Sequence, residues 1–93
     1  MHAFDVLGDP VRRRILELLA DGELTSGAIG ETVQLEFGIS QPAVSQHLKV
    51  LKQAGLIQGE VDGPRVCYCV NPKAVERFKQ LVQGLKVTEE ERP

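Results

Sequence analysis

Residues Gly38–Ile57, GISQPAVSQHLKVLKQAGLI, contain no Asp or Glu, and between Glu36 and Glu60 the only formal charges are Lys49 and Lys52. The chain around this stretch is acidic, with a formal net charge of −2 over 93 residues. Val44, Leu48 and Leu51 recur at helical spacing and predict an amphipathic helix with these three on its buried stripe. Ser40 is placed to cap its first free N–H groups, and the helix runs until Gly55. With the stripe inward, Gln41, Ser45, Gln46, Lys49, Lys52 and Gln53 lie mainly outside. A face of amides, hydroxyls and lysines suits a DNA major groove, where Gln pairs with adenine, Ser bonds bases or phosphates, and Lys neutralises phosphate. A carboxylate there would meet a dense line of negative charge. An ordinary solvated helix face that lacks acids by chance is the other reading of this segment taken alone.

Outward from this helix, the flanking sequence supplies further starts and stops. Asp9-Pro10 opens a helix over VRRRILELLAD, with Ile15, Leu18 and Leu19 on one face and a stop at Gly22. The preceding MHAFDVL can form a small helix offering Phe4 and Leu7. Thr25 or Ser26 caps a helix with Ile29, Val33 and Phe37 at i, i+4 and i+8, which ends at Gly38; Gly27 and Gly30 each weaken it by about 1 kcal/mol relative to Ala. After Gly55 the period changes. LIQGEV and RVCYCV read as two short strands flanking DGP, a hairpin with its turn at Asp62-Gly63. Asn71-Pro72 repeats the cap-plus-proline signal and opens a last helix, in which Val75, Phe78, Val82 and Leu85 have the spacing of a helix that pairs with another. The tail KVTEEERP is polar and expected to fray. The order of elements predicts a mainly α, winged helix-turn-helix domain spanning 1–93, of about five helices plus a two-stranded β-hairpin wing.

Composition agrees. Hydrophobic residues at 42% and charged residues at 26% are ordinary for a folded domain and argue against disorder. Apolar runs of only a few residues predict no membrane span, and the absence of a signal-like start makes the cytoplasm the expected location. Two cysteines are too few for a disulfide framework and fit a reducing compartment. A pI near 5.6 argues against a generic nucleic-acid coat, but not against a protein presenting one neutral or basic face.

The run LGDPVRRRILELL…GISQPAVSQHLKVLKQAGLI…DGPRVCYCVNP resembles the ArsR/SmtB family of bacterial winged-helix transcriptional repressors over almost the whole chain. The resemblance implies that the helix after Ser40 enters the major groove, with Ser40, Gln41, Ser45, Gln46 and His47 as expected contacts beside Lys49, and Arg65 of the wing reaching backbone or minor groove. It implies a homodimer built from residues 1–8 and 72–85, using Phe4, Leu7, Phe78, Val82 and Leu85, and two-fold symmetry then predicts a palindromic site on double-stranded DNA. One departure stands out: Ile29 to Ser40 spans eleven positions, four more than the family pattern and close to one helical turn.

Many relatives sense metals, yet the familiar ligand sets are missing. ELTSGAIGE carries no Cys, His or Asp where the thiolate site would fall, and NPKAVERFKQLVQGLK offers only Glu76 and no His. No metal or other cofactor is expected, and no inducer can be named. Cys67 and Cys69 lie at i and i+2 of a strand, on one side with Arg65 and opposite Val66, Tyr68 and Val70. Such a pair could bind a soft metal or oxidise, but two small apolar residues packing in a wing strand is the favoured reading. Of Arg12, Arg13 and Arg14, at least one must be solvated, and another can pair with Asp9 or Glu17. His47 has a plain reading as a packed side chain beside Leu48. No nucleophile–base pair, carboxylate dyad or phosphate-cradling loop points to an enzyme. The rival to DNA binding is a winged-helix module that only binds another protein.

Overall fold

The computed structural model describes residues 6–74 and 76. The elements are α1 (Pro10–Ala20), β1 (Leu24–Thr25), α2 (Ser26–Phe37), α3 (Gln41–Gln53), β2 (Ile57–Asp62) and β3 (Arg65–Val70). Residues 6 and 7 are helical ahead of α1, and residues 72–74 and 76 are helical after β3. This is the winged helix-turn-helix architecture the sequence predicts, with one strand more than expected.

α1, α2 and α3 each start on a side-chain cap. Asp9 accepts from Val11 N at 2.8 Å and Arg12 N at 3.3 Å, ahead of Pro10. Thr25, rather than Ser26, caps α2, its Oγ1 accepting from Ala28 N at 3.1 Å. Ser40 Oγ accepts from Ala43 N at 3.3 Å to cap α3. These bonds satisfy N–H groups that have no partner inside the helix. On α1, Leu16 joins Ile15 and Leu19 in the core, while Leu18 is only half-buried at its edge.

Gly27 and Gly30 do not prevent α2 from forming. Ile29 and Val33 are fully buried, and burying each contributes about 1.5–3 kcal/mol, which outweighs about 1 kcal/mol per glycine. The apolar stripe stops there. Phe37 remains 37% exposed and Leu35 84% exposed, so the last turn of α2 extends past the core. It is fixed from outside: Arg14 donates through Nε to Glu36 Oε1 at 2.7 Å and through Nη2 to Oε2 at 3.0 Å. Gly38 then adopts φ 64° with its N–H donated to Gln34 O, a left-handed conformation that favours glycine. Residues 38–40 alone therefore join α2 to α3.

Val6, Ile15, Ile29, Val33, Val44 and Leu51 are fully buried together, so α1, α2 and α3 share one core. Ile57 of β2 closes it, with Leu24, Tyr68 and Val70 packed against it from the sheet. The sheet order is β1-β3-β2, all antiparallel. Leu24 faces Tyr68 and Thr25 faces Cys67, while β2 and β3 pair from Ile57↔Val70 to Asp62↔Arg65. The hairpin loop is thus Gly63-Pro64. Gly63 has φ 61°, and Pro64 fixes a negative φ at the second position, which is the type II′ arrangement. Beyond β3, Asn71 donates its side-chain amide to Gly55 O at 2.9 Å and accepts from Lys73 N at 3.0 Å. It ties the start of the last helical segment to the end of α3.

Candidate nucleic-acid interface

The buried stripe of α3 sets the rotation of the helix. With Val44, Leu48 and Leu51 inward, Ser40, Gln41, Ser45, Gln46 and Lys49 are all exposed. Gln41, Ser45 and Lys49 follow at i, i+4 and i+8 and form one row, with Gln46 beside it. No carboxylate belongs to α3, and Lys52 in its last turn suits the negative end of the helix dipole. Ser40 spends a lone pair on its cap and keeps its O–H as a donor. His47 is set apart. It is half-buried and, two residues from both Ser45 and Lys49, lies nearly on the other side of the helix from them.

Gln41 carries a contact that sequence reasoning missed. Its Oε1 accepts from Gln34 Nε2 of α2 at 2.6 Å. The side chain crosses above Gly30, where an added Cβ would stand 2.7 Å from that oxygen. Gln34 and Gly30 are four residues apart on one helix and belong together once the helix is drawn, but nothing in the sequence says that Gln41 folds back over them.

Arg65 stands exposed at the base of the wing turn, opposite Asp62, with 3.8 Å between their charged groups. Both are about two-thirds exposed, so this pair holds Arg65 only loosely. The arginine run is taken up locally: Arg12 lies 3.8 Å from Asp9, Arg13 donates to Leu7 O at 2.8 Å, and Arg14 bonds Glu36 and approaches Glu17. The hydrogen bond to Glu36 raises the Arg14 pKa, and Arg14 in turn lowers that of Glu36.

Cys67 and Cys69 are half-buried free thiols on the outer face of β3. Desolvation chiefly, then the Glu23 and Asp62 carboxylates, push the Cys67 thiol up. A raised thiol holds less thiolate at neutral pH and is a slower nucleophile than an unperturbed cysteine. Among the described residues no three His, Cys, Asp or Glu groups are arranged to hold a metal ion. No helix among them is long and apolar enough to cross a membrane. Of the expected dimer residues, Leu7 is half-buried against the core; Phe4, Phe78, Val82 and Leu85 lie outside the described residues.

Residues 7–60 match the family described as a helix-turn-helix domain. The chain is 39% identical to the transcriptional repressor SdpR of Bacillus subtilis, over 81% of this chain and 79% of that protein. It is 46% identical to the HTH-type transcriptional regulator Rv2034 of Mycobacterium tuberculosis, over 84% of this chain and 69% of that protein. Among solved structures, it superposes with a TM-score of 0.72 on the homodimeric winged helix-turn-helix DNA-binding domain Mb0332 of Mycobacterium bovis, a possible ArsR-family regulator, at 31% identity over 96% of this chain and 77% of that one. These relatives are transcriptional regulators rather than enzymes. The caps, the tight α2–α3 turn, the wing and these similarities together establish that the chain belongs to the ArsR family of winged helix-turn-helix transcriptional regulators.

Proposed function

We propose that this protein is a cytoplasmic repressor that binds a palindromic operator as a homodimer, with α3 in the major groove of each half-site. The observation that carries this reading is the exposed, carboxylate-free row of Gln41, Ser45 and Lys49, with Gln46 beside it, on a helix whose rotation the core fixes. Ser40 donates to phosphate from the cap, Gln41 and Gln46 read base edges, Lys49 neutralises phosphate, and Arg65 reaches the backbone or minor groove from the wing. His47, half-buried and off this row, is the expected contact that the geometry supports least. The segments 1–8 and 72–85 pair the two copies through Phe4, Leu7, Phe78, Val82 and Leu85. The homodimeric assembly of the Mycobacterium bovis domain supports a homodimer. Half-sites then fall about 34–36 Å apart, one turn of DNA.

The test is fluorescence anisotropy on palindromes selected from a pool of short duplexes, with sedimentation to count protein copies. Two copies on one preferred palindrome, with Gln46→Ala losing preference within each half-site, is the expected result. Binding to no duplex would sink the repressor reading and leave the protein-interaction module in its place; equal binding to every duplex would sink the sequence-specific operator.

A further inference from the structure

We propose that Gln34 is a positioning residue for operator reading, and that with the gap above Gly30 it holds the Gln41 amide in the orientation that sets base preference. The proposal rests on the reading of α3 as the recognition helix.

Gln41 is the first residue of α3 and exposed, a position from which a long amide side chain ordinarily samples many rotamers. Here it folds back onto α2. Gln34 Nε2 donates to its Oε1 at 2.6 Å, which decides which end of the amide faces α2 and which faces outward. Both hydrogens of Gln41 Nε2 and the second lone pair of Oε1 remain for DNA. Gly30 supplies the room: a Cβ there would come within 2.7 Å of Gln41 Oε1 and 3.4 Å of Gln34 Nε2. Any residue other than glycine at position 30 displaces the Gln41 amide.

Stability does not account for the arrangement. The bond between these neutral side chains adds to folding no more than a glycine inside α2 takes away from the helix. What the pair achieves is order before binding. Fixing the Gln41 rotamer in the free protein removes part of the ordering cost that binding would otherwise carry. It also fixes the direction of donors and acceptors that distinguish one base edge from another. Gln34 itself sits on the last turn of α2, the turn that runs past the core and that Arg14 holds through Glu36. The bidentate Arg14–Glu36 contact thus steadies the platform from which Gln34 acts.

The experiment uses the full chain and its selected palindrome, with each base pair of a half-site replaced in turn, on the parent and on Gln34→Met, Gly30→Ala, Gln41→Ala and the Gln34→Met/Gln41→Ala double variant. Gln41→Ala identifies the base pair that Gln41 reads. The expected result is that Gln34→Met and Gly30→Ala lose about tenfold discrimination at that same base pair. Their binding to non-specific duplex stays at the parent level, and the double variant is no worse than Gln41→Ala alone. Gly30→Ala should melt no lower than the parent, because alanine favours the helix; a folding defect does not produce that combination. Should Gly30→Ala unfold, Gln34→Met decides, since it leaves the backbone alone. Parent-like base preference in Gln34→Met, or an effect that adds to that of Gln41→Ala, would overturn the positioning role. If Gln41→Ala is neutral while Gln46→Ala still changes base preference, the positioning role alone falls. If both leave every base preference unchanged, the recognition-helix reading falls with it.

Discussion

Lys49→Ala tests whether the exposed row of α3 lies along a DNA backbone. Lys49 is exposed and, among the described residues, pairs with no carboxylate. Alanine has the higher helix propensity, so removing the side chain leaves the fold intact and deletes only its charge. Each phosphate contact contributes about 0.9 to the fall of log affinity with log salt. A two-fold dimer carries Lys49 twice, so the variant should lose about 1.8 from the slope. Over a salt rise from about 50 to about 200 mM, its affinity should fall about tenfold less than the parent's. Anisotropy titrations on the selected palindrome at four or five salt concentrations read this slope directly. A parent-like slope would refute the reasoning whatever happens to affinity at a single salt, because only a lost phosphate contact changes the number of counterions released. Gln46→Ala on the same duplexes is the contrast: it should lose discrimination between bases at a nearly unchanged slope.

The core, the α1–α2 bridge and the wing thiols each give a further expectation. Leu51→Ala removes a fully buried side chain and should cost about 2–5 kcal/mol of stability, read by urea denaturation at fixed protein concentration. A loss below about 1 kcal/mol would mean Leu51 is not where the packing concentrates. Glu36→Gln breaks the bidentate contact with Arg14. The Glu36 pKa is lowered in the fold, so its stabilisation is present above the ordinary carboxylate pKa and is lost as pH falls through the lowered value. The variant should melt below the parent at pH near neutral and match it under strong acid; a constant difference across pH would count against the ion pair. Cys67, with its thiol pushed up by burial and then by Glu23 and Asp62, should react with iodoacetamide more slowly than free cysteine at neutral pH. Glu23→Gln should speed that reaction, since it removes a carboxylate that disfavours the thiolate. Mass spectrometry of the alkylated peptide follows both.

Elements that announce themselves through local chemistry were legible in the sequence. Asp9, Thr25 and Ser40 sit at helix starts because each offers an oxygen to free N–H groups, and each does so in the structure. Gly38 and Gly63 mark chain reversals at positive φ for the same kind of reason. β1 was not legible. Two residues are too few for any alternation to appear, and Leu24-Thr25 is extended because the free edge of β3 pairs with it. Phe37 misled in a different way: its i+8 spacing from Ile29 is right for the helix, but the core ends one turn earlier, and no periodicity reports where a partner surface stops. At the candidate interface, the outward row of α3 could be read from its buried complement. The Gln34–Gln41 bond could not, since it depends on how closely two helices approach across Gly30.

Charge on the wing bears on how an acidic chain approaches DNA in the proposed mode. Among residues 57–70 the hairpin carries Glu60 and Asp62 against Arg65 alone, whereas α3 carries two lysines and no acid. At physiological salt a charge is felt over roughly 8–10 Å, so approaching phosphates respond to the local balance of charge on each element rather than to the net charge of the chain. The helix attracts, and the wing as a whole does not. Arg65 gives up little when it leaves Asp62, because the two are exposed and such a pair is weakly held. The departure leaves Asp62 beside the same backbone, and its repulsion offsets part of the arginine's gain. The wing therefore adds little net attraction at a distance and acts only once α3 is docked, when Arg65 is close enough to bond a phosphate or a minor-groove edge directly. Orientation comes first, from the carboxylate-free helix. In the proposed mode the wing contact comes second, and only in a register that brings Arg65 to an acceptor while Glu60 and Asp62 remain in water.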